Sequence, residues 1–150
     1  MRKKITTEQL RQDTIKHIED VRSLSEIFAD ELLSQVDNHD QDKLSPDNLD
    51  ILKNALNGET SFKEWTKIHN ENCRHHVNFH DNVNVIPFID LVKMVIDGAC
   101  ACYRIRVDYL PTLYDQVSLY INNGFTEDIA YLLAHEFMRQ YKKLQDLEKE

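Results

Sequence analysis

The stretch Pro87-Phe88-Ile89-Asp90-Leu91-Val92-Lys93-Met94-Val95-Ile96-Asp97-Gly98-Ala99-Cys100-Ala101-Cys102-Tyr103-Arg104 decides the fold class. Proline opens it, and the apolar spacing keeps a helical period through about Arg104. Asp90, Met94, Asp97, Ala101 and Arg104 fall on one stripe of that helix. The same period continues outward. Tyr109 to Asn122 reads as a helix entered through Pro111 and stopped by Asn122-Asn123-Gly124. Thr126-Glu127-Asp128 starts a last helix with Ile129, Leu133, Phe137 and Tyr141 facing inward. Before the deciding stretch, Val77 to Asn84 is polar and breaks the pattern. Ser61-Phe62-Lys63-Glu64 matches a capping box for a helix whose face carries Trp65, His69, Cys73 and His76. Ser45-Pro46-Asp47 combines a capping hydroxyl, a first-turn proline and an acid at the positive dipole end, and that helix ends at Gly58. A first helix starts near Thr6 or Thr7 and runs to about Val36, with Leu10, His17, Val21, Leu24, Phe28 and Leu32 on its inner stripe. The polar loop Asp37 to Ser45 follows it. About six helices and no strand predict an all-α, irregular helical bundle.

The bulk composition agrees. With 150 residues, 41% of them apolar and 29% charged, the chain fits one domain with a full core and a solvated surface. Three glycines and three prolines are too few for a turn-rich all-β fold. A net charge of -8 repels nucleic-acid backbone, so no polymeric nucleic acid is expected as a partner. It leaves room for a small anionic substrate, because a bound divalent ion reverses the field inside one pocket. Cys73, Cys100 and Cys102 have no disulfide framework spacing. Cys100 and Cys102 would point about 200° apart on a helix. All three read as reduced core residues. The basic start Met1-Arg2-Lys3-Lys4 leads into no apolar segment, and no run is long enough to span a bilayer. A cytoplasmic location without membrane association is therefore expected, and the sequence leaves a homodimer open.

The residues that carry chemistry are His17, His39-Asp40, Lys43, His75-His76, His80 and Asp97. Imidazole and carboxylate at His39-Asp40 suit borderline divalent metals, Mn, Fe, Co, Ni or Zn. A solvated loop would account for the dipeptide as well. Lys43 shares a helical face with His39 and Asp40, placed to hold a phosphate oxygen or to make a surface ion pair. His76 and His80 are four apart and converge on one ion if the segment is helical. Of His75 and His76, one is expected to be a ligand and the other an exposed residue or substrate contact. Asp97 lies in the most apolar helix, where a lone carboxylate is costly. It must be paired, neutral or bound to a cation, and Arg104, two turns on, is the competing partner. His69 shares a side with His76 and has a weaker claim. His135 reads as structural, since Arg139 stands where a zincin motif needs histidine. No glycine-rich phosphate loop and no nucleophile–histidine arrangement competes with metal chemistry.

In chain order the set His17, His39-Asp40, His76, His80, Asp97 resembles the HD superfamily of metal-dependent phosphohydrolases. A closer resemblance, over about residues 15 to 104, is to a family of small helical proteins of bacteria and their phages. Those carry roughly H-I-x-x-V, H-D-x-S-K, paired histidines and E-M-x-x-D-W. The matching residues here are His17-Ile18-Glu19-Asp20-Val21, His39-Asp40-Gln41-Asp42-Lys43, His75-His76 with His80, and Lys93-Met94-Val95-Ile96-Asp97-Gly98. Asp42 replaces a serine, Lys93 a glutamate and Gly98 a tryptophan. The resemblance implies an HD-domain-like fold and hydrolysis of a nucleotide or other small phosphate ester with one or two divalent ions. It implies a first metal on His17, His39, Asp40 and Asp97. A second would sit on His76 and His80 with Asp40 bridging. Asp40 and Lys43 then serve catalysis, and Lys43, His75 and Arg104 serve substrate binding. The alternative function is a metal-stabilised helical binding protein that acts on a protein partner without catalysis. A plain helical interaction module with incidental histidines is the third reading.

Overall fold

The computed structural model describes residues 5–37, 39–105 and 110–149. The described residues are helical and contain no strand. Six α-helices follow in order: α1 (Thr7–Asp37), α2 (Pro46–Leu56), α3 (Phe62–Asn72), α4 (Phe88–Ile105), α5 (Leu113–Asn122) and α6 (Glu127–Leu147). Short 3-10 turns lie at Gln41–Leu44, Val77–Phe79 and Val83–Val85. The chain is all-α. By its internal contacts it divides into two compact units, Met1–His39 and Asp40–Glu150. None of the helices is long and apolar enough to cross a membrane.

The first unit is α1. Thr6 caps it: its hydroxyl accepts from Gln9 N at 3.2 Å, and Gln9 Oε1 accepts from Thr6 N at 3.0 Å. The expected inner stripe is not buried. Leu10, Val21 and Leu24 are half or more exposed, and no residue of the helix is buried. Among the described residues of the unit there is one helix, and so no second element against which to bury an apolar face.

In the second unit, local signals set the helix ends. Ser45 Oγ accepts from Asn48 N at 3.4 Å ahead of Pro46, and α2 gives way at Asn57 to Gly58, whose φ of 76° favours glycine. Ser61 precedes α3 but makes no side-chain capping bond, so the expected box does not form there. A complete box forms instead at Thr112 and Asp115, which start α5. The expected entry at Tyr109 lies outside the described residues.

The core is where α6 packs against both α4 and α5. Val95, Ala99 and Cys102 of α4 meet Val117 and Tyr120 of α5 and Ala130, Leu133, Ala134, Phe137 and Tyr141 of α6. The inward face of α6 is as its spacing predicts, except that Ile129 is exposed and the adjacent Ala130 is buried. Helices α4 and α6 run in the same direction. A Cβ on Gly98 would lie 3.5 Å from Phe137, the Tyr103 and Tyr141 rings are 5.6 Å apart, and Arg104 reaches Glu148. Small side chains at Gly98, Ala99, Ala130 and Ala134 permit that close approach.

Candidate metal centre

Three histidines gather in the second unit. His69 lies on the last turn of α3, and the chain leaves the helix at Cys73 in an extended conformation. A turn closed by His76 N donating to the Cys73 carbonyl at 2.9 Å then places His75 and His76 beside His69. The ring centroids are 4.3 Å apart for His75–His76 and 4.8 Å for His69–His76. One nitrogen from each of the three can be chosen so that all lie within 4.8 Å of one another. His69 and His75 are buried and His76 is half-buried.

Two carboxylates face this cluster. Asp40 Oδ1 is 3.3 Å from His69 Nε2 and 3.8 Å from His75 Nε2. Asp97 Oδ2, on α4, is 3.7 Å from His75 Nε2. Asp40 holds a left-handed backbone, φ 55° and ψ 18°, the one positive φ among described non-glycine residues. Aspartate tolerates that region better than most residues, and such conformations concentrate where a side chain must be aimed. The Asp40 carboxylate also accepts from Lys43 Nζ at 2.5 Å.

Asp42 orients His69 from behind. Its Oδ2 lies 2.8 Å from His69 Nδ1, and Cys73 Sγ lies 3.8 Å from Oδ1. Burial raises the Asp42 carboxyl, but the hydrogen bond and charge of His69 outweigh it and hold it below the usual carboxylate range. An ionised Asp42 only accepts, so Nδ1 carries the proton. In neutral His69 the Nε2 lone pair then points at the Asp40 cluster. That sets a lone pair against Asp40 Oδ1 at 3.3 Å, an arrangement a bound cation relieves, whereas a protonated His69 donates to that oxygen instead. Imidazole nitrogens and carboxylate oxygens are the donor set that borderline divalent ions take. These residues therefore fit such an ion. Cys73 does not compete while protonated. Burial, then the charges of Asp42 and Asp40, push its thiol up to about 11.

The structure thus rearranges several expectations. Asp40, Asp97 and His76 do come to the cluster. His75, expected as a substrate contact, is buried within it. His69, expected at most as support, is at its centre. The expected shared helical face of His69, Cys73 and His76 is broken, because α3 stops at Asn72. The segment holding His76 and His80 is a 3-10 turn with extended ends rather than a helix, so the i,i+4 argument fails there. His80 instead pairs its Nε2 with the Arg74 carbonyl at 2.9 Å and lies 3.8 Å from Asp90. Arg104, the expected competing partner of Asp97, donates instead to Glu148 at 2.6 Å. Lys93 was legible as a departure from the family pattern, and it is buried here. Burial lowers its pKa, against the opposing pull of Asp97 and Asp40. In the first unit, His17 is exposed on α1, and His39 is half-buried, its N–H donating to the Val36 carbonyl at 2.9 Å. His135 is exposed on α6.

Fold and site define a class: an all-α protein with a buried cluster of imidazoles faced by two carboxylates. The chain belongs to the Family of unknown function (DUF5662), whose family model matches residues 6–139. No curated protein and no solved structure matches it significantly. The family match carries no HD-superfamily assignment, so any activity must be argued from the residues.

Proposed function

We propose that this protein is a metal-dependent phosphohydrolase acting on a nucleotide or another small phosphate ester. The observation that supports it best is the convergence of His69, His75 and His76 with Asp40 and Asp97, which brings together imidazole nitrogens and carboxylate oxygens of the kind a divalent ion takes. His69, His75, His76, Asp40 and Asp97 would hold a divalent ion of the Mn, Fe, Co, Ni or Zn kind. Such an ion, when bound, makes water a better nucleophile and offsets charge on a phosphoryl group.

The chain's own residues supply the rest. Asp40 accepts a proton or a hydrogen bond from water approaching the cluster. Lys43, already 2.5 Å from Asp40, places an ammonium where a phosphate oxygen can replace the carboxylate as its partner. The buried ammonium of Lys93 adds a second positive group on the α4 side. His69 keeps Nε2 toward the cluster because Asp42 holds Nδ1.

The test is elemental analysis of purified protein, followed by assay of phosphomonoesters and nucleotides with Mn or Co added. Asp40→Asn is expected to lose both metal and activity. Lys43→Ala is expected to keep its metal and turn over at least tenfold more slowly. Metal content of His17→Ala and His39→Ala tests whether the set extends to those two residues, as the sequence resemblance implies. Lys43→Ala losing metal while Asp40→Asn keeps full metal and activity would reverse the assigned roles. A metal-loaded protein that turns over no phosphate compound would favour the binding-protein reading.

A further inference from the structure

A cavity of about 440 Å³ opens beside the histidine cluster, inside the second unit. His76 and Asp97 belong to its wall as well as to the cluster, so the two spaces adjoin. Away from them the wall changes character. Met94, Tyr120 and Phe137 give it a thioether and two aromatic rings. Asn70, Gln116 and Asn123 bring side-chain amides. No lysine or arginine is among the described residues that line it.

Each feature narrows the ligand. A volume of this size is in the range of small-molecule sites, roughly 300–1,000 Å³. A wall with one carboxylate and no lysine or arginine rejects a polyphosphate chain. It takes the uncharged part of a ligand whose anionic group stays near Lys43. Aromatic and thioether surfaces favour a flat ring over a hydrated polyol. Amides carry a donor and an acceptor side by side and match the edge of a ring bearing N–H and C=O groups.

Gln116 gives the sharpest signal. It is 95% buried, being 5% exposed, on a helix that otherwise turns Val117 and Tyr120 into the core. Its Oε1 is buried and has no hydrogen-bond partner among the described residues. Leaving a buried acceptor unmatched costs about 1–3 kcal/mol, so an amide kept here needs a reason beyond packing. Gln116 lines the cavity, and because the last side-chain torsion of glutamine is soft the amide can turn to meet a ligand seated there.

We propose that this cavity is a subsite for a flat, uncharged nitrogen heterocycle, with Gln116 as its specificity-determining residue. The link to a phosphate ester rests on the reading given above, whereas recognition of the ring does not need the metal. The test titrates chelator-treated, full-length protein calorimetrically with adenosine, guanosine, cytidine and uridine, and with glucose as a polyol. At least one nucleoside is expected to bind below millimolar concentration, and glucose is not. Gln116→Leu is expected to weaken that nucleoside at least tenfold. Ala101→Phe, which fills the cavity from α4, is expected to abolish binding and gives a second arm should Gln116→Leu not fold. Circular dichroism checks the fold of both. Absence of binding by every nucleoside, equal binding of glucose, or unchanged affinity in both folded variants would overturn the subsite. Nucleoside binding without metal loading or turnover would overturn the phosphohydrolase and leave the subsite standing. Turnover of phosphate esters without any nucleoside affinity would do the reverse.

Discussion

The Nδ1 nitrogen of His69 is held by Asp42 at 2.8 Å, and that bond selects the nitrogen that faces the cluster. Carboxylates behind metal-binding imidazoles commonly raise affinity 10- to 100-fold by fixing tautomer and orientation. Asp42→Ala is therefore expected to weaken Mn or Co binding by about that factor, while circular dichroism stays unchanged. Asp42→Asn, whose carbonyl oxygen can still accept, is expected to recover part of the loss. Equal affinity in all three proteins would remove Asp42 from the site. The pH dependence has a definite sign. The Asp42 carboxyl is held low, so its contribution is present above the ordinary aspartate value, about 3.9. It is lost only as pH falls through the lower, folded-state value. The Asp42 carboxyl should thus stay ionised across neutral pH. At this scale the sequence was partly legible. Asp40 stood out because it adjoins His39 as an imidazole–carboxylate pair, and Asp97 because an acid in an apolar helix needs a partner. His69 did not, because its importance comes from Asp42, 27 positions away.

Between α3 and α4, the segment from Cys73 to Pro87 has little regular structure, yet it must hold His75 and His76 in place. Its anchor is Arg74, whose Nε donates to Asp90 Oδ2 at 2.8 Å. Asp90 is 1% exposed, and the guanidinium is half in solvent. His80 closes the same segment by its bond to the Arg74 carbonyl. Removing one member of a buried pair costs roughly 3–5 kcal/mol, since the remaining charge keeps its desolvation penalty. Arg74→Ala is expected to cost less, about 1–3 kcal/mol, because the arginine itself is half exposed and His80 stays 3.8 Å from Asp90. Urea unfolding measures it, and a loss under about 0.5 kcal/mol, the size of an ordinary surface substitution, would show that Asp90 needs no guanidinium. This anchoring explains what periodicity could and could not reveal. The ends of α2 and the inward face of α6 were legible because caps, proline, glycine and 3.6-residue spacing act within a few residues. The break of α3 at Asn72 was not, because the turn that brings His75 and His76 inward is stabilised by Asp90, 16 residues beyond Arg74. The stripe of α1 reads as amphipathic, but spacing alone does not say whether a partner face exists.

Across the whole second unit, the residues assigned to the ion come from separate places. Asp40 precedes the first 3-10 turn, His69 lies on the last turn of α3, His75 and His76 lie in the following segment, and Asp97 is in the middle of α4. The apolar core is concentrated elsewhere, among α4, α5 and α6. In the α2–α3 half, Ala55, at 8% exposed, is the buried apolar residue among those described. An ion bound by all five residues would tie the segments from Asp40 to His76 to α4. An ion that binds only the native state stabilises by about 2.7 kcal/mol at a free concentration 100 times its dissociation constant. For a unit of this size each kcal/mol moves the melting temperature by roughly 3–6 °C, so loading should raise it by roughly 8–16 °C. Chelator should reverse the shift. His75→Ala removes a ligand from the centre of the cluster and should melt at one temperature with or without metal. Arg139→Ala, on the exposed face of α6, should respond as the unaltered protein does. Protein shown to hold metal, yet melting identically after chelation, would mean that the ion does not bridge these segments.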